Sequence, residues 1–187
     1  IAIGAKAESL VTSAATFFVH GVHHLLAGYD HMLFLLTLLL ATTMQNRTRG
    51  IRSGLIDAAK VVTAFTLAHS VTLGLAATGL VSIPVLLTES LIAITIALAA
   101  LNNIWPVITG RIWMVVAAFG LIHGLGFANV LSDMNLPQSG LLTALVAFNL
   151  GVEAGQLLVV AIALPPLYLF VQKQSARAAI PIANVII

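Results

Sequence analysis

The sequence predicts an all-α integral membrane protein, a single domain over residues 1–187 that forms a bundle of five transmembrane helices. Hydrophobic residues make up 60% of the chain and charged residues only 7%, whereas about 25% of the residues of a soluble domain are charged. Apolar runs of about 20 residues, the length that a helix needs to cross a bilayer, alternate with short polar segments. We therefore expect a lipid bilayer around the bundle. The few charges form no basic patch of the kind that binds nucleic acid.

The breaks in the apolar runs set the predicted helices. The first run is too long for one ordinary crossing and is interrupted at Gly28, so we divide it into a His-rich helix over 10–27 and a span over 28–44. Whether these two parts form one long helix or a bent pair stays open. The other spans are predicted over residues 58–79, 84–102, 111–131 and 139–164.

The connections between the spans contain turn-forming residues. Turns are expected at residues 79–84, 103–106 and 132–135. Pro165-Pro166 is predicted to end or kink the last helix, because proline lacks the backbone N–H that a helix interior requires. The apolar residues through Phe170 leave an extension of that helix open.

The placement of Lys and Arg predicts the orientation, because cationic loops stay in the cytoplasm. Seven of the eight Lys and Arg residues lie in alternate connections and in the C-terminal tail: Arg47, Arg49, Arg52, Lys60, Arg111, Lys173 and Arg177. The C-terminus is therefore predicted to be cytoplasmic and the N-terminus outside, with the His-rich helix at the outer face. If residues 10–27 cross fully, there are six spans and the N-terminus lies inside. Because the sequence begins at Ile1 without Met, we also expect a processed or truncated N-terminus.

Four of the six histidines and one acid are concentrated in twelve residues: His20, His23, His24, Asp30 and His31. On a continuous helix, at about 100° per residue, all five side chains fall on one face. Imidazole and carboxylate groups on one face are typical ligands of a divalent transition metal such as Ni²⁺, Co²⁺ or Zn²⁺. Because the chain has no cysteine, any metal must be held by nitrogen and oxygen. The alternative is a helix end whose polar side chains meet lipid headgroups and water.

The other spans carry four further ionisable residues: His69, Glu89, His123 and Glu153. An ionisable group inside a bilayer is costly, so each is a candidate metal ligand. With the predicted orientation, Glu89 and His123 lie at the depth of Asp30 and His31, whereas His69 and Glu153 lie nearer the midplane. This order predicts a path for a cation that enters from outside.

Each of these four residues also has a structural interpretation. His69 could form an interhelical hydrogen bond, and Glu89 could pair with another buried polar group. The glycines around His123 could serve close helix packing alone, and Glu153 could belong to a hydrogen-bonded seam with Asn149 and Gln156. The common depth of several such groups on different spans favours the metal path.

Four segments occur in a distinctive order: HGVHHLLAGYDHMLFLLTLLL, TAFTLAHSVTLGLAATGLV, VLLTESLIAITIALAALNN and FGLIHGLGFA. Over residues 16–160 the chain resembles the HupE/UreJ family, in particular its second branch. The pattern H-x5-D-H, here His24, Asp30 and His31, is the most specific point of resemblance. The resemblance implies a secondary permease for Ni²⁺, or Co²⁺, in the bacterial inner membrane. It also implies that these three residues and His123 bind or pass the ion.

The sequence departs from the motif F-H-G-x-A-H-G-x-E of the other branch. Only His123-Gly124 matches, because Phe127 and Val130 replace the second histidine and the glutamate. We therefore expect Glu89 or His69 to supply missing ligands, or the metal to differ.

Two other functions stay open. In an intramembrane hydrolase, His31, His69 and His123 would hold Zn²⁺ with Glu89 as the general base, although no H-E-x-x-H motif occurs. A non-catalytic subunit of a larger membrane assembly would use the histidines to bind a metal or haem. We favour a permease that is not an enzyme, with the divalent metal ion as its substrate. We also expect self-association or partner subunits, since the chain is short and has few aromatic anchors.

Overall fold

The computed structural model describes the backbone of residues 2–108, 110–126 and 138–183, and the side chains of residues 11–108, 110–126 and 140–173. Within these residues the protein is entirely helical, with no β-strand, and has six helices. The helices are α1 (Ala2–Ala27), α2 (Tyr29–Gln45), α3 (Ile51–Ala77), α4 (Val85–Ile104), α5 (Ile112–Gly126) and α6 (Gln138–Ala183). The predicted turn at 132–135, the end of the 111–131 span, and both Phe127 and Val130 lie outside the described residues.

The first apolar run is a bent pair of helices. The axes of α1 and α2 differ by 72°, and Gly28 between them has an extended backbone, with φ −79° and ψ 102°. A Cβ atom at this position would press against the carbonyl oxygen of His24 and against Nδ1 of His31. Glycine therefore permits the bend and the close approach of the two histidines on either side of it.

Three helices are long and apolar enough to cross a membrane: α3, α4 and residues 140–173 of α6. The bent pair α1–α2 makes a fourth candidate if it counts as one span, and the 15 described residues of α5 form a shorter apolar helix. The protein is thus a helical membrane protein with three to four candidate spans among its described residues. The total of five spans stays a prediction.

The helix α3 begins at Ile51, well before the span predicted from residue 58. Its first turns carry the half-buried Asp57, whose carboxylate pairs with the exposed cations Arg49 at 3.7 Å and Lys60 at 3.6 Å. These charges lower the local hydropathy without interrupting the backbone hydrogen bonds. Hydropathy here indicates where the helix enters the apolar layer, not where the helix begins.

Of the alternatives left open at Pro165-Pro166, an end of the helix is wrong and its extension is observed, because α6 continues to Ala183. Proline removes a backbone hydrogen bond from the helix interior, but side chains on either side of the pair are fixed by packing. Leu164 and Tyr168 are buried, and the Tyr168 hydroxyl donates to the carbonyl of Arg47 at 3.3 Å. These tertiary contacts favour continuation of the helix.

The bundle is held together by apolar packing and by glycines that allow close approach. An apolar cluster joins α2, α3 and α6 through Leu35, Leu39, Ala58, Val62, Val160, Leu164 and Tyr168. Gly21 of α1 faces the Phe148 carbonyl of α6, and Gly151 of α6 faces the Phe18 carbonyl of α1. Without Cβ atoms at these positions the two helices lie in backbone contact, as small residues permit in membrane helices.

Candidate metal site

Three histidines from three helices meet inside the bundle: His24 of α1, His31 of α2 and His69 of α3. One ring nitrogen of each lies within 4.8 Å of those of the other two. Nitrogens that share an ion at bonds of about 2.1 Å lie about 3–4 Å apart, so an inward movement of about 1 Å completes a three-nitrogen site. Imidazole nitrogen suits nickel, cobalt and zinc.

The bend at Gly28 brings the first two of these rings together. The ring centroids of His24 and His31 are 4.7 Å apart in an edge-to-face arrangement. Because the run is bent, the five candidate ligands of residues 20–31 do not share a single inward face. Only these two point into the bundle, whereas His20, His23 and Asp30 are exposed.

His69 is fully buried and its orientation is set by α6. The Asn149 amide nitrogen donates to the carbonyl of Leu145 at 2.8 Å, so the amide oxygen faces His69 and can only accept. His69 Nδ1 lies 3.2 Å from that oxygen and therefore carries the hydrogen. The lone pair of His69 is left on Nε2, as a metal ligand requires.

His123 of α5 lies beside this group, with its ring centroid 5.5 Å from that of His31. The Thr95 hydroxyl donates to the carbonyl of Ile92 at 2.7 Å, so its oxygen accepts the hydrogen of His123 Nε2 at 3.0 Å. The lone pair of His123 therefore lies on Nδ1. α5 approaches this closely because Gly124 faces the His69 carbonyl, where a Cβ would overlap it.

Several of these nitrogens lack a partner. Among the described residues, nothing forms a hydrogen bond with His31 Nε2, His69 Nε2 or His123 Nδ1, and all three atoms are buried. A buried polar atom without a partner costs free energy. A metal ion that accepts these lone pairs would recover that cost, so the arrangement fits a cation better than a structural core.

Phenylalanine rings form the walls around the histidines. The rings of Phe34 and Phe65 lie 5.0 Å and 5.2 Å from the ring of His123, and Phe148 lies 5.4 Å from that of His24. These side chains are almost fully buried and exclude water from the sides of the group. Such walls strengthen electrostatic interactions within the site.

The remaining candidate ligands lie apart from the group of three histidines. Glu89 is exposed on α4, and Asp30 is exposed in the first turn of α2. Glu153 is half-buried on α6, where its Oε1 accepts a hydrogen bond from the Thr63 hydroxyl at 2.7 Å. Among the described residues, these acids do not belong to a cluster whose ligand atoms are close enough to hold a metal ion. Their role as ligands therefore stays a prediction, as does that of His20 and His23.

Sequence reasoning did not find the partner of His123. Thr95 is one of many threonines in apolar segments, and nothing in the pattern sets it apart. Asn149 was recognised as part of a polar stripe with Glu153 and Gln156, but its pairing with His69 requires knowledge of which helices pack together.

Comparison with known proteins supports the resemblance drawn from the motifs. No curated protein and no solved structure gives a significant match. The sequence does match the family described as "HupE / UreJ protein" over residues 3–187. This family is one of membrane transport proteins related to nickel and cobalt, which agrees with the buried histidine group. The chain belongs to the HupE / UreJ protein family.

Proposed function

We propose that this protein is a secondary permease of the bacterial inner membrane whose substrate is a divalent transition metal, Ni²⁺ or Co²⁺. His24, His31 and His69 bind the ion, and His123 joins them as a fourth ligand. The observation that carries the proposal is the meeting of three buried ring nitrogens from three helices within 4.8 Å.

The chemistry of the group favours borderline transition metals. Imidazole nitrogens bind nickel, cobalt and zinc, whereas Mg²⁺ and Ca²⁺ prefer oxygen ligands. His69 and His123 are each held by a neighbouring side chain with one lone pair free, so these rings are already oriented for an ion. The site can thus select its substrate without a charged ligand in the group itself.

The position of the ligands on different helices suits transport. Four helices each contribute one histidine, so a small relative movement of any helix changes the coordination geometry and the affinity. In the predicted orientation His24 and His31 lie in the outer half of the bundle. The chain has no P-loop motif for ATP, so we expect the membrane potential, a coupled proton or a separate partner subunit to drive uptake.

The hydrolase alternative, as predicted from the sequence, places a carboxylate beside the metal as the general base for water. Glu89, its predicted general base, is exposed on α4. Among the described residues, the cluster that could hold a metal ion consists of histidines alone. A transported ion needs no such base. These observations support transport over hydrolysis.

The test is nickel binding to the purified protein together with uptake of ⁶³Ni²⁺ into proteoliposomes. His31→Ala and His69→Ala should each weaken binding by more than about 100-fold and abolish uptake, because each removes a ligand. His20→Ala is the matched comparison, since His20 is an exposed histidine outside the group, and its affinity should change by less than about 3-fold. Unchanged binding in His31→Ala and His69→Ala would refute the proposal.

A further inference from the structure

A line of polar contacts runs from the histidine group along the interface of α3 and α6. We name it the polar seam; it consists of Thr63, Thr66, His69, Asn149, Glu153 and Gln156. Each of the three α6 side chains has one oxygen within hydrogen-bond distance of a group on α3. The distances are 3.2 Å for Asn149 to His69, 2.7 Å for Glu153 to Thr63 and 2.7 Å for Gln156 to Thr66.

Glu153 is the charged member of the polar seam. It is half-buried near the middle of the apolar segment of α6. The ion pairs within the described part of the chain all involve Asp57, so no Lys or Arg there neutralises Glu153. A carboxylate among apolar helices with one hydroxyl donor is costly, which points to a cation that binds it during function.

The histidine group, in contrast, lacks a negative charge. Its rings are neutral when they bind a metal, so a dication held there has no negative charge within the group. Glu153 follows Asn149, the residue that holds His69, by one helical turn, or about 6 Å along the axis. The nearest carboxylate on this interface is therefore placed to attract the ion out of the group.

We propose that Glu153 is a second binding site for the transported dication, which the ion reaches after it leaves His69. We call this site the second station. The inference rests on the proposed permease function. The Glu153 carboxylate, with the oxygens of Thr66 and Gln156 along the same seam, offers oxygen ligands. Oxygen ligands hold nickel and cobalt less tightly than imidazole does, so this station releases the ion more readily than the first.

The apolar cluster lies directly beyond this station. Val62 precedes Thr63 on α3, and Val160 follows Gln156 by one turn on α6; both are buried in the cluster with Leu164. The polar seam therefore ends against closed apolar packing. An ion bound at Glu153 can therefore move further only when α3 and α6 separate at the cluster.

The experiment compares Glu153→Gln with Asp57→Asn, a matched acid-to-amide change at a half-buried acid of α3 that is paired with exposed cations. Glu153→Gln keeps an oxygen that accepts from Thr63 but removes the charge. It should lower ⁶³Ni²⁺ uptake into proteoliposomes by about 10-fold or more, whereas equilibrium nickel affinity should fall by a clearly smaller factor, because the charge acts on the bound ion only from a distance. Asp57→Asn should leave uptake unchanged. Uptake at the wild-type rate in Glu153→Gln, or a loss of affinity equal to the loss of uptake, overturns the proposal.

Two further variants separate the charge from the hydrogen bond. Thr63→Val removes the donor to Glu153 and keeps the carboxylate, so it should retain at least about half of the uptake. Glu153→Asp should restore part of the uptake lost in Glu153→Gln. If Thr63→Val loses as much as Glu153→Gln, the seam is structural and the proposal fails.

The outcomes also separate this inference from the proposed function. If His31→Ala loses nickel binding while Glu153→Gln transports normally, the second station is wrong and the permease proposal stands. If His31→Ala binds nickel as the wild type does, the permease proposal fails first, and with it the station that depends on it.

Discussion

The two halves of α3 differ in what they bury. Toward its C-terminal end, Thr66 and His69 face polar partners on α6, and His69 belongs to the histidine group. Toward its N-terminal end, Ala58 and Val62 pack against apolar residues of α2 and α6. One helix thus contributes to a polar path at one end and to a closed apolar contact at the other.

The difference matters because the surroundings are lipid. Apolar side chains that separate in a bilayer meet lipid tails, so the cluster is held mainly by packing. Polar side chains that separate must find new partners. The apolar half is therefore the half that can open at lower cost, whereas the polar half keeps its geometry. This division suits a permease in which the histidine group faces one side and the cluster closes the other.

The largest expected effect on nickel affinity comes from Gly124→Leu, a change on α5 where that helix packs against the polar half of α3. Its side chain would overlap the His69 carbonyl and the Thr72 hydroxyl, pushing α5 and His123 away from the group. Nickel affinity should fall by more than about 100-fold, and the free energy of unfolding by about 1–3 kcal/mol. Calorimetric titration and thermal unfolding in detergent measure the two quantities.

Gly74→Leu is the matched control for this change. A Cβ at Gly74 of α3 meets nothing within 4 Å, so the same substitution there should leave affinity nearly unchanged. Equal losses in the two variants would mean that leucine disturbs the helices generally, and that close approach of α5 does not form the site.

An intermediate effect is expected from Thr95→Val. Valine keeps the size of the side chain but removes the oxygen that accepts from His123 Nε2, so His123 no longer has a fixed tautomer. Loss of a group that orients a metal-binding histidine costs about 10–100-fold in affinity. Thr95→Ser should bind as the wild type does.

Thr88→Val is the control on the same helix, since Thr88 is buried and its hydroxyl donates to the carbonyl of Pro84 at 3.3 Å. Its nickel affinity should stay at the wild-type value. Nitrogen-15 NMR of the histidine rings would report the tautomer directly, and an unchanged His123 spectrum in Thr95→Val would contradict this account.

The smallest effect on nickel affinity is expected from a change in the apolar cluster, against which the N-terminal half of α3 packs. Leu164 is fully buried in the apolar cluster, so Leu164→Ala should lower the free energy of unfolding by about 2 kcal/mol or more through the cavity it leaves. Nickel affinity should change by less than about 2-fold, because no ligand or ring partner moves. A parallel loss of stability and affinity would show that the two halves are coupled.

Much of this arrangement could be predicted from the sequence. The apolar runs predicted an all-helical membrane protein. His24, His31, His69 and His123 stood out because ionisable side chains are unusual within such runs. The motifs identified the family that the whole-chain match confirms. Helix boundaries were less accurate where charges extend a helix beyond the apolar layer, as at Ile51.

Tertiary structure decided which of the candidates meet. Periodicity assigns a residue to a face of its own helix, but it does not say which faces pack together. The bend at Gly28 turned His24 and His31 inward and left His20 exposed. The lone pairs of His69 and His123 were likewise set by side chains from other helices, Asn149 and Thr95.

By itself, the sequence determined that this chain lies in a membrane and carries imidazole groups that lipid cannot solvate, because both follow from residue type and run length. Only the tertiary structure decided that three of those groups converge and that an apolar contact closes the polar seam beyond them. Convergence depends on how closely helix backbones approach, and that distance is set where glycines such as Gly124 meet a neighbouring helix.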